Sequence, residues 1–235
     1  MLVLAPIAYF ILPEPAIKQK DDPDSSKPKS HIWIDFKIIA SKLEIWLCGI
    51  CILTGYQLFW ATYSFSAYIQ NHYGLTAVAV ASITTAKLWM RPIGAMAAGF
   101  AGDFLDRELV LGALLVFASI SLASLIMLPA GAGSAILLGI VLVIGFLTYA
   151  VRGIFWSTLE SCQVSNKIKG LAIGLISLLG YSPDIYLPLF EGYLIEQYPG
   201  KQGYGIYFGG IAVMGLLGAV AAWQLKRIAK RRVMS

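Results

Sequence analysis

The chain has 235 residues, of which 58% are hydrophobic and 13% charged, with a net charge of +5. Soluble domains carry about 25% charged residues, so a large soluble core is excluded. The basic excess lies in a linker and a C-terminal tail beside apolar stretches, which fits anionic headgroups and membrane topology and gives no role to nucleic acid.

Residues 1–12 are apolar, but too short to cross a bilayer, and they lack the basic start and cleavage site of a signal peptide. They read as the end of a transmembrane helix stopped by Pro13-Glu-Pro15. Residues 13–44 form a charged, proline-broken cytoplasmic linker. Its later part, Ile32-Trp-Ile-Asp-Phe-Lys-Ile-Ile, reads as a short interfacial helix. Six apolar blocks of spanning length follow at roughly 45–70, 76–102, 108–129, 134–159, 168–192 and 204–225. The predicted fold class is an all-α membrane protein, a six-helix transmembrane bundle over 45–225 with a basic cytoplasmic tail at 226–235. A β-barrel is excluded, because its strands alternate every second residue and these blocks are continuously apolar.

Of the 18 lysines and arginines, fourteen fall on alternate joints or in the tail. Three, Lys87, Arg91 and Arg152, lie inside apolar blocks, and only Lys201 lies on the other set of joints. Basic loops stay cytoplasmic, which predicts a cytoplasmic C-terminus. The expected setting is a multi-pass position in a bacterial inner membrane, with membrane lipid as a partner. Small residues at four-residue spacing, Ala95/Gly99, Gly170/Gly174 and Gly205/Gly209, predict close helix packing.

Cys48-Gly-Ile-Cys51 has redox spacing but opens an apolar span with no βαβ pattern around it. With Cys162 it reads as packing material. His31 and His72 stand alone in joints, so no metal and no cofactor are expected. The sequence contains no phosphate-binding glycine loop, zinc-helix motif or nucleophile elbow, and no enzymatic activity is predicted.

The charges inside spans point to function by default. Lys87 sits ~15 Å deep at 1.5 Å per residue, where a cation costs about 2.5–3.5 kcal/mol. It must therefore face protein or water. Arg91 is one turn further and shares its face. Asp184, at a similar depth between Pro183 and Pro188, reads either as a static ion-pair partner of Lys87 or Arg91, or as a solute or coupling-ion group. Arg152 either snorkels to the inner surface or lines a cavity. Gln57, Trp60, Ser64 and Tyr68 form a helical stripe that either lines that cavity or packs between helices. Glu160 and Glu191 sit near span ends, at headgroup level.

The joint Gly99-Phe-Ala-Gly-Asp103-Phe-Leu-Asp106-Arg107 resembles the cytoplasmic loop motif of the major facilitator superfamily, Gly-x-x-x-Asp-Arg-x-Gly-Arg-Arg. Gly99, Asp103 and Arg107 match its first glycine, acid and late arginine. Phe104, Asp106 and Glu108 depart from it. The resemblance implies the C-terminal half of such a transporter: the end of helix 6, the central loop and helices 7–12. It also implies a missing N-terminal half as partner, and a cytoplasmic gating role for Gly99, Asp103 and Arg107. The expected function is secondary active transport of a small solute by alternating access. The cation excess makes that solute anionic. The expected solute residues are Lys87, Arg91, Gln57, Trp60 and Arg152, with Asp184 for coupling or ion pairing. The alternative is a non-transporting six-helix subunit that scaffolds or regulates a partner.

Overall fold

A computed structural model describes residues 32–129 and 131–233. The expected helix end at 1–12 and the linker over 13–31 lie outside the described residues. Among those described, the architecture is helical throughout: α1 (Ile32–Ala40), α2 (Leu43–Ala61), α3 (Phe65–Tyr73), α4 (Ala77–Ala86), α5 (Met90–Phe104), α6 (Arg107–Met127), α7 (Ser134–Ile154), α8 (Lys169–Gly180), α9 (Pro183–Gln197) and α10 (Lys201–Val233). Short 3-10 segments, Lys87–Trp89 and Phe155–Cys162, join α4 to α5 and extend α7.

Among the described residues, five helical stretches are long and apolar enough to cross a membrane: Leu43–Ala61, Arg107–Met127, Ser134–Cys162, Lys169–Gln197 and Lys201–Arg231. The stretch expected to span at 76–102 is not among them. It is helical, but the 3-10 turn at Lys87–Trp89 interrupts it, and Lys87 and Arg91 lower its hydropathy. The block expected at 45–70 is also divided. Beyond Ala61, Thr62, Tyr63 and Ser64 donate their backbone N–H groups three residues back, to Phe59, Trp60 and Ala61, so the chain tightens and re-aims before α3. The block at 168–192 breaks at Tyr181-Ser182, where Pro183 opens α9 in the first-turn position that tolerates a missing N–H. Pro188 then leaves the Asp184 carbonyl, four residues earlier, without its helical donor.

Close backbone approach organises the packing. A Cβ on Gly94 would stand 2.5 Å from the Phe146 carbonyl oxygen, and one on Gly153 would stand 2.9 Å from the Ala95 Cα, so α5 and α7 touch backbone to backbone. Gly215 and Gly218 let α10 lie across Thr54 and Leu58 of α2 and Ser119 of α6. The hydroxyls of Thr54 and Ser119 donate to carbonyls of their own helices, Ile50 at 2.9 Å and Leu115 at 2.8 Å. That satisfies them without water. Of the small residues expected to pack, only Ala95 does so tightly. Gly205 is in ordinary contact with Ile126, while Gly99, Gly170, Gly174 and Gly209 have nothing within 4 Å of a built Cβ.

All three cysteines are free and buried. Cys48 Sγ meets Thr158 Oγ1 at 3.4 Å, and Cys162 donates to the Glu44 carbonyl at 3.4 Å. α1 exposes Ile32, Trp33, Ile34 and Ile38. The Trp46 indole N–H caps its end through the Ala40 carbonyl at 2.8 Å.

Candidate functional site

The break after α2 and the start of α9 bring one wall of polar and aromatic groups together. Tyr56 and Trp60, one turn apart on α2, both donate to Asp184 Oδ1, Tyr56 at 2.9 Å. Asp184 lies in the first turn of α9, where the helix dipole favours a carboxylate. Gln57, on the neighbouring face, donates to the Tyr186 hydroxyl. The Arg152 guanidinium of α7 lies over the Phe59 ring at 4.2 Å and over the Tyr56 ring at 5.7 Å. Tyr56 therefore stands between a cation and an anion that do not pair with each other. Tyr181 packs edge-on against Tyr56, with centroids 4.8 Å apart, and accepts from the Trp156 indole at 3.0 Å. The result is an aromatic shelf with Arg152 on one side and Asp184 on the other.

The intramembrane charges sort differently from the expectation. No Lys87–Asp184 or Arg91–Asp184 pair forms. Lys87 is 6% exposed. Its ammonium donates to the Thr62 carbonyl at 3.0 Å and lies 5.9 Å and 5.7 Å from the Tyr63 and Phe65 ring centres. Thr62 caps the C-terminal end of α2, where carbonyls gather negative charge. Gly145 of α7 leaves room for the lysine stem, which a Cβ there would strike at 2.5 Å. Nor do Lys87 and Arg91 share an environment. The 3-10 turn rotates them apart, leaving Arg91 exposed on the side of Tyr149.

The energies for Lys87 nearly cancel. Burial costs about 2.5–3.5 kcal/mol. A charged hydrogen bond returns about 1.5–3 kcal/mol, and distant ring faces and the helix end return about 1 kcal/mol more. Lys87→Met should therefore stay within about 1 kcal/mol of wild type in thermal unfolding. Lys87→Glu, which sets a carboxylate against a carbonyl, should lose about 3 kcal/mol or more. Equal effects of the two would show that the ammonium does not hold the break.

The stripe expected along the first span divides at the helix break. Gln57 and Trp60 meet α9 as described. Ser64 and Tyr68 turn into the core, 6% and 0% exposed, with Tyr68 donating to the Leu125 carbonyl at 3.4 Å. Alongside Trp60 the shelf uses Tyr56 and Tyr63, the Tyr63 ring packing edge-on against Phe59 and Trp60 with centroids 5.2 and 5.0 Å apart. The i, i+4, i+7 spacing of Tyr56, Trp60 and Tyr63 was visible in the sequence as a second stripe beside the first. Tyr181 and Trp156 carried no such signal, since Tyr181 stands in the break before Pro183 and Trp156 in the 3-10 extension of α7, outside any regular helical stripe.

At the other end of the bundle, Arg107 pairs with Glu160, Ser161 donates to Glu108, and Lys226 reaches Asp106 at 2.7 Å. Asp103 is exposed and takes part in neither ion pair among the described residues, and Gly99 is open. The engaged acids of this joint are thus Asp106 and Glu108, both departures from the motif. Lys226, by its hydrogen bond and charge, and Lys230 more weakly, hold the Asp106 carboxyl below its ordinary value of 3.8. A depressed carboxyl pKa contributes stability above the unfolded value and loses it as pH falls through the folded one. Asp106→Asn should therefore flatten the acid limb of the stability curve in pH-dependent unfolding. At neutral pH it should change stability by less than about 1 kcal/mol, as for other exposed pairs.

The chain is 25% identical to the inner membrane protein YihN of Escherichia coli (strain K12), over 96% of this chain and 55% of that protein. It is 24% identical to the inner membrane protein YqcE of the same organism, over 73% and 42%. It is 23% identical to the hexuronate transporter of Bacillus subtilis (strain 168), over 88% and 49%. It therefore spans about half the length of the curated relatives it matches. No family model matches the chain, and no solved structure matches it significantly. With five helices of spanning length and composition among the described residues, these similarities make it a multi-pass inner-membrane protein, helical where it is described, with distant similarity to a transporter.

Proposed function

We propose that this chain is the C-terminal half of a secondary transporter of the major facilitator type, moving a small anionic solute by alternating access and without covalent chemistry. The observation that carries the reading is the shelf: Arg152 and Asp184 flank Tyr56 without pairing, so each keeps capacity for a ligand. A guanidinium over aromatic rings suits a carboxylate, while the rings suit the C–H face of a sugar. A sugar acid of the hexuronate class meets both demands, in keeping with one relative's name. A second six-helix half completes the site, since a facilitator binds between its halves and the relatives are about twice as long. The stretch 76–104 crosses the membrane as a broken helix sheltered by α7. The C-terminal end of α10 is cytoplasmic by its basic residues. The joint from Gly99 through Asp103 to Arg107 acts there as part of a lock.

Uptake into proteoliposomes holding the full-length protein tests this. A labelled hexuronate should accumulate and be displaced by other sugar acids but not by the neutral parent sugar. Equal displacement by the neutral sugar would defeat the anionic assignment. Asp184, held by two donors, is assigned to coupling. Asp184→Asn should abolish accumulation driven by a pH gradient while hexuronate exchange persists, and intact accumulation would exclude that role.

A further inference from the structure

The last turns of α10 carry four cations with described side chains, and they divide between two faces. Lys226 is bonded to Asp106, and Lys230, one turn on, also acts on Asp106. Arg227 and Arg231 form the other one-turn pair. Both are exposed, and neither belongs to the two ion pairs among the described residues. The Arg227 guanidinium lies over the Trp223 indole at 4.0 Å, and these three side chains line one shallow groove along the helix.

The same face continues back along α10 as Val220, Leu217, Leu216 and Val213, each 42–58% exposed. The opposite face, with Gly215 and Gly218, is packed on α2 and α6. In a membrane protein the exposed apolar stripe meets acyl chains. Trp223 ends it, in the position tryptophan favours at the membrane–water boundary. Arg227 and Arg231 lie ~6 and ~12 Å further along the axis, at the level of lipid phosphates. None of these residues contributes to the aromatic shelf.

We propose that Trp223, Arg227 and Arg231 form a binding site for the phosphate of an anionic phospholipid in the leaflet that meets the C-terminal end of α10. Stacking on Trp223 pre-orients the Arg227 fork, and a planar guanidinium takes a phosphate through two parallel N–H···O bonds. Lys226 is bonded to Asp106, and Lys230 shares that helix face and acts on the same carboxylate through its charge alone, so the arginine face, with its stacked guanidinium, is the one assigned to lipid. The assignment is independent of which solute, if any, is transported.

Thermal unfolding of the full-length protein in nanodiscs of phosphatidylcholine, with or without phosphatidylglycerol, tests it. Phosphatidylglycerol should raise the wild-type midpoint by about 2–4 °C. The Arg227→Gln/Arg231→Gln double variant should lose that increment, and Lys230→Gln should keep it. An increment retained in the arginine variant overturns the site. So does an equal loss in Lys230→Gln, which marks diffuse surface charge. Soluble glycerol phosphate added to detergent-purified protein separates headgroup from lipid: stabilisation equal to that by phosphatidylglycerol overturns the lipid assignment. Should the double variant fail to fold, native mass spectrometry of the wild type decides. Preferential retention of phosphatidylglycerol over phosphatidylcholine supports the site, and no preference overturns it.

Discussion

Arg152→Gln should reduce uptake of the anionic solute by roughly 30-fold or more, with Arg152→Lys recovering only part of it. The guanidinium is held over Phe59 and Tyr56 rather than by a carboxylate, so its removal breaks no ion pair in the resting protein. In the proposed transporter, what is lost is the charge that would offset a buried solute carboxylate. Leaving such a charge unpaired in a desolvated site costs about 2–5 kcal/mol, which corresponds to roughly 30- to 4000-fold in affinity. Lysine keeps the charge but loses the planar fork and its stacking. The check is labelled hexuronate uptake at several concentrations. The loss should appear in the apparent affinity, and thermal unfolding of the variant should be close to wild type. Uptake within twofold of wild type would remove Arg152 from the site and leave Arg91 as the exposed cation on that side.

Gly94→Val and Gly153→Val should each destabilise the bundle by about 3 kcal/mol, the upper end of ordinary overpacking. In both positions the new Cβ meets backbone, the Phe146 carbonyl oxygen at 2.5 Å or the Ala95 Cα at 2.9 Å, and backbone cannot rotate away as a side-chain tip can. α5 and α7 would have to separate. That shift moves Tyr149 and Arg152, so uptake should fall with stability. Gly174→Val, with nothing within 4 Å, is the control and should stay within about 0.5 kcal/mol. Thermal unfolding in detergent measures all three. If Gly174→Val proves as damaging as Gly94→Val, the packing described for α5 and α7 is wrong.

The contrast between those glycines shows where the sequence stops being legible. Four-residue spacing marks pairs that are able to pack closely, and it marked Ala95/Gly99 and Gly170/Gly174 equally. Which helix face is covered depends on the neighbours, and these lie far away in the chain. α7 reaches Gly94 and Ala95, while no helix among the described residues reaches Gly99 or Gly174. Lys87 repeats the lesson for charge. Its depth required shelter, and it has shelter. Depth alone pointed to Asp184 as its partner, whereas the fold breaks α2 at Thr62 and offers a carbonyl at 3.0 Å. Asp184 goes instead to Tyr56 and Trp60.

Composition and hydropathy, on their own, determined that this is a helical membrane protein. Apolar blocks of spanning length, with few charges, admit no other low-energy state for a backbone that must satisfy its own hydrogen bonds. The bias of lysine and arginine predicted orientation, and Pro183 and Pro188 marked a broken helix. Only the tertiary structure decided where the helices break and which side chains those breaks unite. Three interruptions, at 62–64, 87–89 and 181–182, rotate neighbouring residues onto different faces. A one-dimensional stripe assumes an unbroken helix, so it cannot locate Arg152, Tyr56 and Asp184 on one shelf or send Lys87 behind it.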